Sequence, residues 1–413
     1  MTRLGIALEA ALEADALARS LALSIESTLG DSEAIAGALV LATAAAGALG
    51  EEVGQRLASR WPAAELVGTS FEGVVLDGRV WEGEPVVAVL AWSEGEGAPC
   101  VIACEGGAGP AELARAIESG MARAGDGRRG VLVLLPDALG TPGLAGLLAA
   151  LVSAADEDFW LVGAAATGLD GEAARAWVSP GDPGLRPAPG ELLVGVWIPT
   201  VGPPTSAPRV RSVGATRAAS PWLEITACRP HWIDALEGEP PTDWIRRQLG
   251  LGEADPIEPH LERLLVRIAR GCDRRTDPPD DPDAFEEHYV TGLDARRGAI
   301  GVPGPFVRFD RMAFALPDAI DARAALRAAV DALPRTPLLL QLGCPGRGAS
   351  LHGDRDLESA IVAHQATGRR AFGVIAPFQL ASEPCPDQTG RRHRLRVHAT
   401  VLAAVGPVSD SGS

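Results

Sequence analysis

The hydrophobic and polar positions of the chain follow a pattern that occurs three times. Each occurrence has an apolar strand, a turn, a helix, a second apolar strand that ends near glycine, a hairpin and a return strand. The opening strands are Gly37–Thr43, Gly130–Leu135 and Leu338–Leu342. Continuous apolar runs of this length are typical of strands buried on both faces. We predict an internal repeat, although an α/β chain without a repeat can produce the same pattern.

Helices are predicted between these strands. Leu17, Leu21 and Ile25 are spaced by four residues in Glu13–Thr28, which is the spacing of an amphipathic helix. Similar patterns predict helices at Ala44–Arg60, Gly143–Ala155 and Asp356–Thr367, and return strands at Pro85–Trp92, Leu192–Ile198 and Leu395–Val405. This order of elements predicts an α/β fold of mixed sheets flanked by helices, with an α+β arrangement as the alternative.

Two or three domains are expected from the length of 413 residues. Pro199–Pro208 reads PTVGPPTSAP, a composition typical of a linker. We therefore place one domain at residues 1–205 and a second at residues 210–406. Residues 407–413 have the composition of a disordered tail.

The net charge of the chain excludes some classes of binding partner. It has 37 basic and 54 acidic residues and a net charge of −17. Nucleic acids and anionic lipids both require a basic surface, so neither is an expected partner. The sequence contains no lysine, which excludes a Schiff-base lysine, a pyridoxal phosphate anchor and a P-loop lysine. We expect no cofactor.

Neither a membrane span nor a metal site is predicted. No apolar run reaches about eighteen residues, and Glu9, Glu13 and Asp15 occupy the region where a signal peptide needs apolar residues. The six cysteines lack CxxC spacing, and the seven histidines form no compact ligand spacing. Reduced thiols and a cytoplasmic location are the expectation.

The strand Leu338–Leu342 ends in a turn that could carry chemistry, Gly343–Gly348, with the sequence GCPGRG. Cys344 could be a nucleophile served by His352 or His398, a ligand-facing thiol, or a small buried residue. Arg347 could bind a carboxylate or phosphate through two hydrogen bonds, or form an ion pair within the protein. Gly346 and Gly348 would let the backbone approach a ligand, or would merely permit a tight turn.

Polar residues also follow the glycine at other strand ends. Thr69, Ser70 and Glu72 follow Gly68, and Thr167 and Asp170 follow Gly163 in the second occurrence. Open α/β sheets bind ligands at the carboxyl ends of their strands, so these side chains are candidate ligand contacts. The alternative is that they bond to the local backbone of their turns.

Motifs along nearly the whole chain resemble those of proteins that join a FIST N domain to a FIST C domain. LVGTSFEGVV at residues 66–75 and FWLVGAAATGLDG at 159–171 are similar to strand-and-turn motifs of FIST N. ITACRPHWIDALEGEPPTDWI at 225–245, LLLQLGCPGRG at 338–348, AFGVIAPFQLAS at 371–382 and RVHATVLAAV at 396–405 resemble motifs of FIST C.

The resemblance implies an intracellular sensor that binds a small polar metabolite, with amino acids as the suggested ligands. Output would then pass through a signalling protein partner. Gln379 stands where the family has an acid, so a carboxylate that could pair with a ligand ammonium is lost. His398 lies where the family has a His/Thr-containing final strand and is a further candidate ligand contact, with a histidine satisfied within the core as the alternative. The alternatives are a cysteine-dependent enzyme that uses Cys344, and a protein-interaction module without a ligand.

Overall fold

The computed structural model describes residues 2–10, 13–30, 34–95, 97–105, 110–123, 129–138, 159–169, 172–179, 186–189, 192–200, 209–214, 216–261, 263–269, 285–303, 306–384 and 391–408. The predicted helix Gly143–Ala155, Asp170, residues 201–208 of the linker and residues 409–413 of the tail lie outside this described part.

The chain divides into two compact units. Unit 1 comprises Met1–Ser212, Leu326–Leu395 and Ala399–Ser413, and unit 2 comprises Val213–Ala325 with Arg396–His398. Most of unit 2 is thus inserted, in chain order, into the third occurrence of the repeat. The division into domains at 1–205 and 210–406 remains a prediction.

The described residues of unit 1 form three six-stranded sheets. Sheet 1 has the order β1 (Leu4–Ala10), β6 (Val86–Ser93), β2 (Ile35–Thr43), β3 (Glu65–Phe71), β10 (Arg175–Ser179), β11 (Arg186–Pro189). Sheet 2 has the order β7 (Cys100–Glu105), β12 (Leu192–Pro199), β8 (Gly130–Leu135), β9 (Phe159–Ala164), β24 (Gln379–Pro384), β25 (Arg391–Arg396). Sheet 3 has the order β13 (Val210–Gly214), β26 (Ala399–Val405), β22 (Leu338–Gly343), β23 (Arg370–Ile375), β4 (Gly73–Leu76), β5 (Arg79–Glu82).

The sheets share one construction, which confirms the predicted fold of mixed sheets built from a recurring unit. Repeat 1 contains β1–β6, repeat 2 contains β7–β12, and repeat 3 contains β13 and β22–β26. Each sheet has a parallel pair at its centre: β2 with β3, β8 with β9, and β22 with β23. Its last two strands are a hairpin that belongs to a different repeat.

Each repeat contributes its hairpin to the sheet of another repeat, and the three contributions form a closed cycle, which we call the hairpin exchange. Hairpin β4–β5 of repeat 1 pairs with β23 of repeat 3. Hairpin β10–β11 of repeat 2 pairs with β3 of repeat 1, and hairpin β24–β25 of repeat 3 pairs with β9 of repeat 2. Every sheet is therefore completed by strands from another repeat.

One face of each sheet packs into a shared apolar core, which we call the inner core. Leu39 and Val67 of sheet 1, Val162 of sheet 2, and Leu340 and Phe372 of sheet 3 all belong to it. Because side chains alternate along a strand, the opposite face of each sheet is left for helices. The apolar runs of the sequence are continuous because both faces are buried.

Helices cover the outer faces. They are α1 (Ala14–Leu29), α2 (Gly47–Arg60), α3 (Pro110–Arg123), α6 (Ala319–Ala332), α7 (Ala349–His352) and α8 (Leu357–Gln365) in the three repeats, with short 3-10 helices at Ala44–Ala46 and Pro345–Arg347, and α4 (Pro241–Leu249) and α5 (Glu258–Leu261) in unit 2. Leu17, Leu21 and Ile25 of α1 are fully or almost fully buried, as their spacing predicts. Helix α3 was not predicted.

Unit 2 contains an eight-stranded sheet and its own apolar core. The order is β18 (Glu286–Tyr289), β17 (Leu265–Ala269), β21 (Arg311–Pro317), β15 (Leu223–Arg229), β16 (Trp232–Leu236), β20 (Ala299–Gly301), β19 (Gly292–Asp294), and β14 (Thr216–Ala218) pairs with β21. Ile225, Val266 and Phe314 lie in this core.

One strand prediction is wrong. The expected return strand Leu395–Val405 is interrupted, because β25 ends at Arg396 and β26 begins at Ala399. Between them His398 has a φ of 50°, a left-handed value that lies outside the β region. Among the described helices, none is long and apolar enough to span a membrane.

Candidate functional site

The three points at which the chain leaves its own sheet for another are joined to one another. The three segments are residues 69–73, from the last residues of β3 to the first of β4; residues 164–167, from the last residue of β9 onwards; and residues 375–379, from the last residue of β23 to the first of β24. Together we call them the crossover ring. All three belong to unit 1. Each follows a parallel strand pair, so the ring lies at the carboxyl ends of those strands, where open α/β sheets bind ligands.

Backbone hydrogen bonds close this ring. Thr167 N donates to Ser70 O at 2.8 Å, which links repeats 1 and 2. Ala165 N donates to Phe378 O at 3.0 Å, which links repeats 2 and 3. The pairing of β4 with β23 links repeats 3 and 1. The structure thus places predicted site residues from all three repeats on one connected backbone frame.

Gln379 is the most deeply buried of the predicted site residues, with no exposed surface. Its Nε2 donates to Gly343 O at 2.9 Å and to Ala376 O at 2.8 Å. Its Oε1 is buried and has no hydrogen-bond partner within the described part of the chain. Gln379 lies on the same strand face as Ala381, which belongs to the inner core, so the amide is on the inner side of sheet 2.

Two threonine hydroxyls at the ring also lack a hydrogen-bond partner in the described part of the chain. Thr69 Oγ1 and Thr167 Oγ1 are buried, and neither has a partner among the described residues. Leaving a buried polar group without a partner costs about 1–3 kcal/mol. Each repeat therefore contributes one unpartnered side-chain oxygen to the crossover ring.

Ser70 joins repeats through its side chain. Its Oγ donates to Thr167 O at 2.7 Å and accepts a hydrogen bond from Arg175 N at 3.3 Å. Both partners belong to repeat 2, so the hydroxyl fixes the crossover of repeat 2 against β3.

Glu72 is half-buried next to the base of hairpin β4–β5. Burial raises the pKa of Glu72, and the negative charge of Glu82 raises it further. Burial also raises the pKa of Glu82, an effect that Arg355 opposes and Asp356 reinforces. The ring therefore has an acidic edge whose carboxyl groups hold protons more tightly than usual.

The turn after β22 contains Cys344, whose side chain is 4% exposed. A 3-10 helix at Pro345–Arg347 follows it, and Ser350 Oγ donates to Gly346 O at 2.9 Å. A Cβ added at Gly348 would lie 3.5 Å from the Arg355 Cα, an ordinary contact. The turn is compact and closed by its own backbone bonds.

Arg347 is 1% exposed and is paired with Glu358 of α8. Its Nη2 lies 2.7 Å from Glu358 Oε1, and its Nε lies 3.1 Å from each carboxylate oxygen. His352 Nε2 lies 3.0 Å from Glu358 Oε1, and Thr400 Oγ1 donates to Glu358 Oε2 at 2.7 Å. Of the two alternatives for Arg347, the geometry favours the ion pair.

The environment of Glu358 stabilises its charged form. Burial alone would raise the pKa, but the positive charge of Arg347 and the hydrogen bonds from His352, Arg347 and Thr400 outweigh burial. Together they lower the pKa of Glu358 to about 2. Sequence inspection did not select Glu358, because a glutamate in the first turn of a helix is ordinarily a surface residue.

His398 belongs to unit 2 by its contacts. Its Nδ1 lies 3.4 Å from Tyr289 Oη, and the two rings pack edge to face with centroids 6.2 Å apart. Its place in a ligand site remains a prediction.

In repeats 1 and 2, the position equivalent to Cys344, at the end of the first strand of the parallel pair and on its inner-core face, is occupied by Thr43 and Asp137. Thr43 ends β2 opposite Phe71, and Asp137 bridges to Ala166 just after β8. Both side chains are at least 96% buried, since their exposed fractions are 0% and 4%. Aligning the three repeats by their apolar strands would have found them, because each is the first polar residue after its run. Within the described residues, no group of three metal-ligating side chains occurs.

Comparison with known proteins supports the amino-terminal motifs. The model of the FIST N domain matches residues 38–184. No curated protein matches the chain. The crystal structure of cyanuric acid hydrolase from A. caulinodans aligns with a TM-score of 0.31 and 12% sequence identity, over 98% of this chain and 100% of that chain. Residues 38–184, which contain the first two of these motifs, therefore hold a FIST N domain, as those motifs predict.

Proposed function

We propose that this protein binds a small polar metabolite at the crossover ring and signals its presence through another protein chain. The observation that carries the proposal is that each repeat contributes one buried, unpartnered side-chain oxygen to the ring: Thr69, Thr167 and Gln379. A bound molecule with hydrogen-bonding groups would satisfy them. The FIST N match supports this role, since the family's suggested role is small-ligand sensing.

The hairpin exchange gives such a ligand a route to a structural effect. Each ring segment is also the connection to a hairpin that completes another repeat's sheet. A ligand that bonds to two segments therefore stabilises the pairing of different repeats at once. Ordering of this kind is a physical basis for sensing, because the ligand favours the state that it binds.

The alternative of a cysteine-dependent enzyme has less support. Cys344 is almost completely buried, and the charge of Arg347 is compensated by Glu358. A nucleophilic thiol needs both access to substrate and a positive environment. The interaction module without a ligand leaves the three ring oxygens unexplained.

A thermal-shift screen against amino acids, organic acids and nucleotides tests the proposal. A ligand at about 100 times its dissociation constant adds roughly 2.7 kcal/mol to the free energy of unfolding. Gln379→Met should reduce that stabilisation. Gln341→Met is the matched control, because Gln341 is also buried and its Oε1 also has no partner among the described residues, but its Nε2 donates to Ser359 on the outer face of sheet 3, away from the ring. No stabilisation by any class, together with a stable protein partner in pull-down, would favour the interaction module.

A further inference from the structure

We infer that the ligand presents an uncharged amide group to the ring, with its N–H directed at the Oε1 of Gln379. The inference rests on the proposed function and names the chemical class of the ligand. It follows from the fixed orientation of one side-chain amide and from the absence of formal charge on the three unpartnered oxygens.

The orientation of the Gln379 amide is determined by its partners. Gly343 O and Ala376 O both accept hydrogen bonds, so the atom facing them must be the Nε2 donor. Rotating the amide by half a turn would place Oε1 against two carbonyl oxygens. The acceptor Oε1 is therefore held at the other end of the amide, where it has no partner in the described structure.

The same two carbonyls explain why an amide occupies this position. A glutamate side chain here would bring a carboxylate oxygen within hydrogen-bond distance of Gly343 O and Ala376 O, where it has nothing to accept. The amide supplies one N–H to each of these two acceptors, whereas a protonated acid has a single O–H. The site therefore offers an acceptor without a charge.

An amide ligand complements the other two oxygens as well. The hydroxyls of Thr69 and Thr167 can each donate or accept, so one of them can bind a ligand carbonyl while Oε1 binds the N–H. A charged ammonium at the same place would meet three neutral oxygens. The carboxyls near the ring are Asp137, which bridges to Ala166, and Glu72, whose ionised form burial disfavours, so the methylammonium probe tests whether either of them selects the ligand.

Four small probes separate these chemistries in the full-length protein: acetamide, N,N-dimethylacetamide, acetate and methylammonium. Binding is followed by methyl NMR of alanine- and threonine-labelled protein, because Thr69, Ala164 and Ala376 place methyl groups at the ring. Acetamide should shift these signals in a saturable way. N,N-dimethylacetamide, which has no N–H, should bind about tenfold or more weakly, the loss expected for one buried hydrogen bond.

Gln379→Met should weaken acetamide binding about tenfold, whereas Gln341→Met should leave it unchanged. Equal binding of acetamide and its dimethyl form would overturn the inference even if Gln379→Met fails to fold. Stronger binding of methylammonium than of acetamide would overturn it too. Metabolite binding at the ring with no preference for N–H donors would leave the proposed function standing alone. Absence of any binding at the ring would remove both.

Discussion

Arg347 donates hydrogen bonds to both carboxylate oxygens of Glu358, and both residues are almost completely buried. The pair joins the turn after β22 to helix α8. In this geometry the buried guanidinium mainly holds the turn against helix α8 through its ion pair. Its charge is then unavailable to a ligand unless Glu358 is displaced.

Removing the negative partner should strongly destabilise the protein. Glu358→Gln leaves the charge of Arg347 buried without its counterion, which costs about 3–5 kcal/mol of the free energy of unfolding. Urea denaturation measures this loss. The double variant Arg347→Met with Glu358→Leu should lose less than the sum of its single variants.

An exposed pair provides the control for that prediction. Arg56 and Asp15 are 58% and 65% exposed. Asp15→Asn should cost less than about 1 kcal/mol, because solvent screens an exposed pair. Equal losses at the two sites would contradict the structural role of Glu358.

Lowering the pH should reduce the free energy of unfolding, because Glu358 becomes protonated. Its pKa is about 2 in the folded state and lies near 4.5 as the ordinary value. A carboxyl with a lowered folded pKa stabilises fully above the ordinary value and loses that stabilisation as pH falls towards the folded value. The wild type should lose about 3 kcal/mol relative to Glu358→Gln between pH 5 and about pH 2. Parallel pH profiles of the two proteins would refute this.

Glu72 should show the opposite dependence. Its pKa is raised by burial and then by Glu82, so the ionised form is disfavoured in the folded protein. Stability linked to a raised carboxyl pKa is present at low pH and is lost as pH rises through the folded pKa. Glu72→Gln should therefore increase stability at pH 7, by less than about 1 kcal/mol because the residue is only half-buried.

The melting temperature at pH 7 and at pH 3 measures this difference. Glu82→Gln is the companion variant, since the two carboxyl groups repel each other. The double variant should gain less than the two single gains added together. A loss of stability in Glu72→Gln at pH 7 would show an attractive partner that the geometry does not provide.

Cys344 should react slowly with thiol reagents in the folded protein. Its side chain is 4% exposed, whereas Cys228 is partly exposed. Mass spectrometry after timed alkylation should find Cys344 modified roughly tenfold or more slowly than Cys228. Rapid and selective modification of Cys344 would instead support the enzyme alternative. Cys344→Ser should keep metabolite-induced stabilisation if the protein is a binder.

A glycine that recurs in the repeats should be irreplaceable. Gly68, Gly163 and Gly373 each stand one residue after an inner-core residue of β3, β9 or β23. A Cβ at Gly373 would lie 1.7 Å from Gln341 O, and one at Gly163 would lie 2.3 Å from Leu134 O. Since backbone atoms cannot yield, Gly373→Ala should cost about 3 kcal/mol or more in urea denaturation.

Gly47→Ala is the matched control. Gly47 has helical φ and ψ of −54° and −49°, and its added Cβ would meet atoms no closer than 3.4 Å. Alanine there should be neutral or slightly stabilising, because it reduces the freedom of the unfolded chain. Similar losses at both glycines would mean that space is not the deciding factor.

The sequence predicts the strands of the repeats well because their pattern is local. Leu338–Leu342 and its counterparts are apolar on both faces, apart from Gln341, and that signal needs no knowledge of the partner strand. The destination of hairpin β4–β5 has no local signal, because pairing with β23 depends on how the repeats assemble. Helix α3 was missed because Ile117 is its one almost fully buried large apolar residue in the described structure.

The candidate site was harder to predict for a related reason. The family motif selects Gln379 but not Gln341, and the sequence does not show what either amide contacts. The structure places Gln341 against Ser359 of α8 and Gln379 against the backbone of the ring. Likewise, Arg347 had two interpretations until Glu358, eleven residues later, was found to contact it.

The hairpin exchange also determines what a shortened chain can do. A fragment ending at residue 205 keeps β4–β5 but loses β23, the strand with which β4 pairs, and it leaves β9 without β24. Two open sheet edges would then face solvent, and such edges pair with other molecules. Each of the three repeats gives a hairpin to one repeat and receives a hairpin from the other, so none of them has a complete sheet by itself. The FIST N segment of this protein is therefore a part of an interlocked assembly, and transplanting it into another chain would require carrying the third repeat with it.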